Sequence, residues 1–394
     1  MKILAIESSC DETATAIVEK TADGWVRVLG EAVASSNEMH VTTGGIVPEV
    51  AAREQLKSMM PMVMMAVSEA AQISNDEFLI SKQAPSTNEQ ITKWVRENVD
   101  AIAVTAGPGL IGSLLVGVET AKALAWAWDK PLVPVNHLLG HVYANWIRPS
   151  IPGSAGYRRS RDLRIPEFPL VALIVSGGHT ELVLMKSHEE MEVLGGTRDD
   201  AAGECLDKCA RIMGLAYPGG PAISAAAEKF QISNFKFQTN SKDQIQYDKQ
   251  ISLPRPLLHE DTYDFSFSGL KIAVMRELQK GERLKVTGES ELVAMLAYEL
   301  QEAVVEVLVG KLMKAVEEFQ PKSVLIAGGV AANSRLRESL KSQISNSKYQ
   351  TKLFIPDLKY CTDNAVMIGA AACYQFKPVD AVEIVADPGM GLAD

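Results

Sequence analysis

The chain has 394 residues, a length that suits two domains, and its 47% apolar and 22% charged residues describe a folded chain with a full core. Its 49 acidic against 39 basic residues give a net charge of −10, which excludes binding of nucleic acid by bulk positive charge; an RNA partner needs a local basic patch or a second subunit. Five cysteines, an odd number without a C-x-x-C pair, argue against a disulfide framework or a thiolate zinc site, and no apolar run reaches the length of a signal peptide or a bilayer span, so a cytoplasmic protein without membrane contact is expected.

In chain order, residues 2–7 (KILAIE) predict a strand, SSCDET a polar turn and TATAIVE a second strand. Residues 50–72 have helical periodicity, and the polar stretch 82–98, with Pro85, reads as an inserted loop. DAIAVT at 100–105 predicts a strand, AGPGLIGS opens a helix running to about Trp128, PLVPVNH is a strand, and a helix starts near His137. Residues 149–167 read as a surface loop. The apolar segment 169–185 carries strand character, 231–256 is polar and poorly periodic, and 290–318 predicts a long amphipathic helix. The strand SVLIAGG, a helix from Asn333, the strand KLFIP and a helix from about Asp363 to Tyr374 complete an alternating α/β pattern.

One internal similarity points to a duplication. ILAIESSCDETATAIV and VALIVSGGHTELVLM share the layout strand, small polar turn, strand, about 170 residues apart. Such turns expose backbone N–H groups and hydroxyls that suit phosphate oxygens, and two related domains would set both turns around one ligand across a cleft; two ordinary hairpins are the alternative.

Three motifs carry chemistry. Asn136-His137-Leu138-Leu139-Gly140-His141 sets two imidazoles four residues apart on one helix face, where both can reach one metal. A third ligand, usually a carboxylate, is then needed; Asp363 is one candidate among 49 acids. Gly328-Gly329-Val330-Ala331-Ala332-Asn333 follows a buried strand, and Asn333 suits either a ligand contact or a helix N-cap. Glu204, Asp207 and Lys208 share a helix face, and Tyr217-Pro218-Gly219-Gly220-Pro221 is a rigid turn at which Gly220 lets a ligand come close.

These motifs, with GGIVPEVAAR (44–53), AGPGLIGSLLVG (106–117), DFSFSGLK (264–271) and CTDNAVMIG (361–369), occur in one order along residues 1 to about 376. The chain resembles the tRNA threonylcarbamoyladenosine-forming transferases, formerly called O-sialoglycoprotein endopeptidases. The resemblance implies the α/β two-domain actin/hexokinase/Hsp70-like (ASKHA) fold with a duplicated ribonuclease-H-like core. The domains would be residues 1–129, completed by the helix at about 364–376, and 130–363, carrying both metal and nucleotide motifs, with a tail at 377–394. It implies His137, His141 and Asp363 as ligands of one Fe2+ per subunit, with Zn2+ as the other possibility. Ile174, Val175, Ser176, Gly177, Gly178, Asp207, Gly220 and Asn333 would bind threonylcarbamoyl-AMP, and Asp11 and Glu12 would act in turnover. The implied partners are tRNA and, in a bacterium, an inactive paralogue (TsaB) and a small ATPase (TsaE).

Two departures stand out. Gln55 occupies a position where the family usually has His; it is not one of the three ligands, so little chemical loss is expected. Cys205 and Leu206 replace the usual Ala and Phe. Segments near 82–98, 150–166 and 238–252 lengthen the chain, and the arginines 148, 158, 159, 161 and 164 offer a local basic patch for RNA. The rival readings are a sugar kinase or ATPase of the same fold, which needs Mg2+ and a carboxylate base, and a non-catalytic paralogous subunit, which lacks the histidine pair. A metalloprotease is disfavoured because no H-E-x-x-H occurs.

Overall fold

The structure, a computed structural model, describes residues 1–35, 47–76, 87–148, 164–239, 251–284 and 289–392. It forms two compact units: one from Met1–Glu167, Lys186–Met191 and Phe354–Asp394, the other from Phe168–Met185 and Glu192–Leu353.

The first unit is built on the strands β1 (Lys2–Glu7), β2 (Glu12–Lys20), β3 (Val26–Ser35), β4 (Ala101–Gly107) and β5 (Leu132–Asn136), in the order β3-β2-β1-β4-β5. β1 and β4 are buried almost throughout and parallel; β2 turns back antiparallel to β1, and β3 is antiparallel to β2. Helix α1 (Pro48–Asp76) buries Ala51, Gln55, Met59, Val63, Val67 and Ala70, spaced three to four residues apart, and packs on β2 and β3. Gly30 in β3 permits that approach, since a Cβ there would stand 2.2 Å from Ala66 O.

The reading of 82–98 as a loop is corrected for its second half: α2 (Asn88–Asn98) is a helix. Thr87 and Gln90 close a capping box at its start, and only Ile91 and Val95 are buried, so a short helix with one narrow apolar stripe looks polar in composition. Residues 77–86 lie outside the described residues. Helix α3 (Ile111–Trp128) follows β4, and α4 (His137–Tyr143) follows β5.

The second unit holds β6 (Leu170–Val175), β7 (Thr180–Met185), β8 (Met191–Gly196), β9 (Ser323–Ala327) and β10 (Lys352–Phe354), in the order β10-β9-β6-β7-β8. β6 is antiparallel to β7 and parallel to β9. Counted from its own first strand, each sheet runs third, second, first, fourth, fifth. The chain therefore repeats one ribonuclease-H-like sheet, which is the duplicated core of the actin/hexokinase/Hsp70 fold. Helices α5 (Ala202–Ile212), α6 (Gly219–Thr239), α7 (Ser268–Leu284), α8 (Glu289–Phe319) and α9 (Ser334–Ser345) belong to this unit, and α10 (Ala365–Tyr374) to the first.

Three sequence expectations shift. The boundary expected between residues 129 and 130 falls inside the first unit, because β5 continues the sheet in parallel register with β4, pairing Ile102 with Leu132 and Ala103 with Val133. The metal helix that follows β5 is thereby placed in the first unit, while the glycine motifs lie in the second. The polar stretch from 231 begins as a continuation of α6 to Thr239, and residues 240–250 lie outside the described residues, as do 149–163 with Arg158, Arg159 and Arg161. The tail packs on the first unit, where Val379 pairs with Leu132 and Asp387 N donates to Ala106 O. Among the described residues no helix is long and apolar enough to cross a membrane.

Candidate metal centre and nucleotide loops

Asn136 sets the start of α4. Its Oδ1 accepts from Leu138 N (2.9 Å) and Leu139 N (3.3 Å), a side-chain N-cap, while its Nδ2 donates to Gly391 O in the tail (2.9 Å). The helix is buried on every side, and Gly140 lets α10 close on it, since a Cβ there would lie 2.7 Å from Ile368 Cδ1. Asp363 precedes α10 by two residues, next to its N-cap Asn364, whose Oδ1 accepts from Met367 N (2.9 Å).

These two helix starts bring Asp363 to two histidines that lie more than 220 residues before it in sequence. Asp363 Oδ1 is 3.4 Å from His137 Nε2 and 3.2 Å from His141 Nε2, and one donor atom from each residue falls within 4.8 Å of the others. Donors held at about 2.1 Å from a tetrahedral ion stand roughly 3.4 Å apart, so the spacing fits a metal. Among the described residues neither buried ring nitrogen of His141 has a hydrogen-bond partner, as expected of an imidazole whose partner is a cation. The three residues form a possible metal site.

The side chain that orients His137 was not expected from the sequence. Glu7, fully buried at the end of β1, has its Oε2 3.1 Å from His137 Nδ1, and it also accepts from Thr105 Oγ1 (2.6 Å) and Ser9 N (2.5 Å). Burial opposes its charge, but the His137 imidazole more than offsets this and holds the carboxyl below its usual range. Burial likewise opposes the charge of His137, which Asp363 and then Glu7 overcome, so the ring is raised well above an ordinary histidine. In the neutral ring that a metal would require, an Nδ1–H donated to Glu7 leaves the Nε2 lone pair on the side of Asp363 and the metal position, the usual carboxylate–histidine–metal relay. The available signal was a Glu closing an otherwise apolar strand. Glu7→Gln should keep the fold but lower metal affinity about 10- to 100-fold, measured by titrating metal into chelated protein. Equal affinities would break the link between Glu7 and the site.

Asp11 closes the turn before β2 and Glu12 is the first residue of that strand, both in the same unit. Asp11 is buried, and Glu12 is pushed up to about 10 by burial and by the Asp363 and Asp11 carboxylates. Glu12 therefore stands within electrostatic reach of Asp363, and Asp11 within reach of Glu12.

In the second unit, residues 174–178 leave β6 and turn. Ser176 N donates to His179 O (2.8 Å), and Ser176 Oγ accepts from His179 N (3.0 Å). Ile174 and Val175 are fully buried, side chain and backbone alike, at the end of β6. The glycines sort into two kinds. Gly203, Gly219 and Gly328 allow chain segments to touch: a Cβ would stand 2.5 Å from Ser176 O, 2.6 Å from Asp207 Cα and 2.4 Å from Val175 O respectively. Gly177, Gly178, Gly220 and Gly329 meet nothing within 4 Å and line open space. Asp207 Oδ1 accepts from Gly219 N (2.6 Å) at the start of α6.

Asn333 realises the N-cap alternative. Its Oδ1 accepts from Leu336 N (2.9 Å), and its Nδ2 donates to Ser224 Oγ and Gln301 Oε1 (both 3.1 Å), which ties α9 to α6 and α8. Lys208, read as sharing a face with Glu204, bridges Glu204 (2.9 Å) and Asp200 (2.7 Å).

A family model described as TsaD, tRNA N6-adenosine threonylcarbamoyltransferase, matches residues 27–78 and 89–370. The chain is 43% identical over 376 residues to the tRNA N6-adenosine threonylcarbamoyltransferase of Staphylococcus carnosus (strain TM300), covering 95% of this chain and 91% of that protein. It is 45% identical over 390 residues to the protein of the same name from Thermomicrobium roseum, covering 95% of this chain and 92% of the relative. Matches of this extent take in the metal helix and the glycine loops alike, and the chain belongs to the tRNA N6-adenosine threonylcarbamoyltransferase family.

Proposed function

We infer that the chain transfers the threonylcarbamoyl group of threonylcarbamoyl-AMP to N6 of the adenosine next to the anticodon in ANN-decoding tRNAs, with release of AMP. The observation that carries this reading is the trio of buried His137 and His141 with half-buried Asp363 in a member of this family. A kinase of the same fold has no use for that donor set.

In the reaction, the N6 amine attacks the carbamoyl carbon of a mixed carbamic–phosphoric anhydride. A C–N bond forms, the C–O bond to phosphate breaks, AMP leaves with the electron pair, and N6 gives up a proton. The leaving group is good, whereas the amine is poor because its lone pair is delocalised into the ring; orientation and stabilisation of charge on the carbonyl oxygen are what the protein supplies. His137, His141 and Asp363 would hold an Fe2+, one per subunit, or a Zn2+, and such an ion when bound supplies a Lewis acid and a template for the threonylcarbamoyl group. Asp11 is the proposed acceptor of the N6 proton, with Glu12 beside it. Gly177, Gly178 and Gly220 leave room for the AMP portion against backbone N–H groups, together with Ile174, Val175 and Ser176. Asp207 offers a carboxylate oxygen to a ribose hydroxyl, and Asn333 completes the pocket from the start of α9.

A net charge of −10 argues that tRNA is held with help from other subunits, here the inactive paralogue TsaB and the small ATPase TsaE, in the cytoplasm. The exposed apolar side chains Leu56 and Met60 on α1 and Ile111 and Leu115 on α3, helices that pack together in the first unit, suit such a partner. Reconstitution of the chain with those partners, threonylcarbamoyl-AMP and an ANN-decoding tRNA should yield threonylcarbamoyladenosine by nucleoside mass spectrometry. Addition of ATP and sugar in place of these should yield no phosphorylated product. Absence of the modified nucleoside from the metal-loaded complex would overturn the reading.

A further inference from the structure

The turn at residues 8–12, between β1 and β2, has its carbonyls held from beneath. Leu110 N donates to Ser9 O (2.7 Å), and Ser113 Oγ donates to Cys10 O (3.0 Å), both from the start of α3. The other donor is a single side chain. Gln55 of α1 is 1% exposed, and its Nε2 donates to Glu12 O (2.9 Å) and Cys10 O (3.0 Å) and reaches Ser8 O at 3.4 Å. Two amide protons thus serve three carbonyls drawn from alternate residues. Among the described residues the buried Oε1 of the same amide has no hydrogen-bond donor. Exchanging oxygen and nitrogen would set a fourth carbonyl against these three, so the acceptors dictate the orientation of the amide. The fold leaves one buried acceptor unpaired at the very residue that gathers the turn, a cost that a purely space-filling leucine would avoid.

We propose that Gln55 is a positioning residue for the reaction: by clamping the backbone of residues 8–12 it sets where the Asp11 and Glu12 carboxylates stand. This rests on the reading of Asp11 and Glu12 as groups that act in turnover. The hydrogen bonds of Gln55 go to the backbone of the turn, through which it acts. A leucine removes the donors while filling the space. A glutamate keeps the shape but turns only acceptors toward three carbonyls. A histidine keeps one N–H donor.

The test compares Gln55→Leu, Gln55→Glu and Gln55→His with the parent chain in the reconstituted complex, alongside Asp11→Asn and Glu12→Gln. Hydrogen exchange of a peptide covering residues 8–13, kcat and KM, and metal content are read together. For Gln55→Leu and Gln55→Glu, exchange in that peptide should rise at least about tenfold and kcat fall about 10- to 100-fold, with KM and metal content near the parent's. Gln55→His should recover part of both. Parental exchange in the Leu and Glu variants overturns the proposal, and so does an unchanged kcat when Asp11→Asn or Glu12→Gln is impaired. If Asp11→Asn and Glu12→Gln both keep the parental kcat, the catalytic reading of the turn fails instead; the positioning claim falls with it, and the exchange data then show only whether the clamp exists.

Discussion

Replacing His141 with alanine should strip the protein of most of its metal, and replacing His137 and His141 together should strip it of all that can be measured. Structural zinc sites with four protein ligands bind with about 10–16 kcal/mol, so one ligand is worth roughly 3–4 kcal/mol and two are worth about 10^4- to 10^6-fold in affinity. The single variant is the cleaner one. Among the described residues His141 makes no hydrogen bond through either ring nitrogen, so its loss leaves no partner there stranded apart from the carboxylate of Asp363. His137 is different, because its removal also leaves the buried Glu7 without the ring that offsets its burial. The double variant should therefore lose thermal stability as well as metal, while the single variant loses metal and melts close to the metal-free parent. Elemental analysis of protein purified without added chelator, with melting curves in parallel, checks both. Metal retained at the parental level in the double variant would place the ion elsewhere.

The second large effect concerns two adjacent glycines that should behave in opposite ways. A Cβ at Gly220 meets nothing within 4 Å, so Gly220→Val should fold as the parent does. A Cβ at Gly219 would stand 2.6 Å from Asp207 Cα and 2.7 Å from Leu206 O, backbone that cannot yield, so Gly219→Val should push α5 from α6 and lower the melting temperature of the free protein. With threonylcarbamoyl-AMP at a hundred times its dissociation constant, linkage supplies about 2.7 kcal/mol to the parent, a rise of several degrees. Gly220→Val should abolish that rise, because the valine fills the space into which the nucleotide is proposed to come. A parental rise in Gly220→Val would move the nucleotide away from the start of α6. A stable Gly219→Val would show that the contact between α5 and the α6 turn is looser than the geometry requires.

Much of this was legible in the chain. The two strand–turn–strand segments became β1–β2 and β6–β7, each opening a sheet of the same order, because an apolar alternation broken by a small polar turn has few other ways to bury itself. The histidine pair sits on one helix face because a four-residue step closes about one turn, and Asn136 caps that helix as its side chain allows. Polar stretches were harder. Residues 88–98 looked like a loop because two buried side chains suffice to dock a capped helix of that length, and periodicity so sparse does not rise above its polar surroundings.

By itself, the sequence determined the strands, the helix that presents His137 and His141, the glycine-rich turns and, through the order of its motifs, the family. Tertiary structure alone decided that Glu7 orients His137, that Gln55 gathers the turn before β2, and which glycines pack and which stay open, and it brought Asp363, which the family resemblance implied, against the histidines. The physical reason is the range of the contacts. Helix faces, caps and turns depend on residues a few positions apart, whereas Glu7 with His137 and His141 with Asp363 are separated by 130 and more residues: Glu7 meets His137 because parallel β1, β4 and β5 bring their ends together, and Asp363 meets His141 because α10 packs on α4.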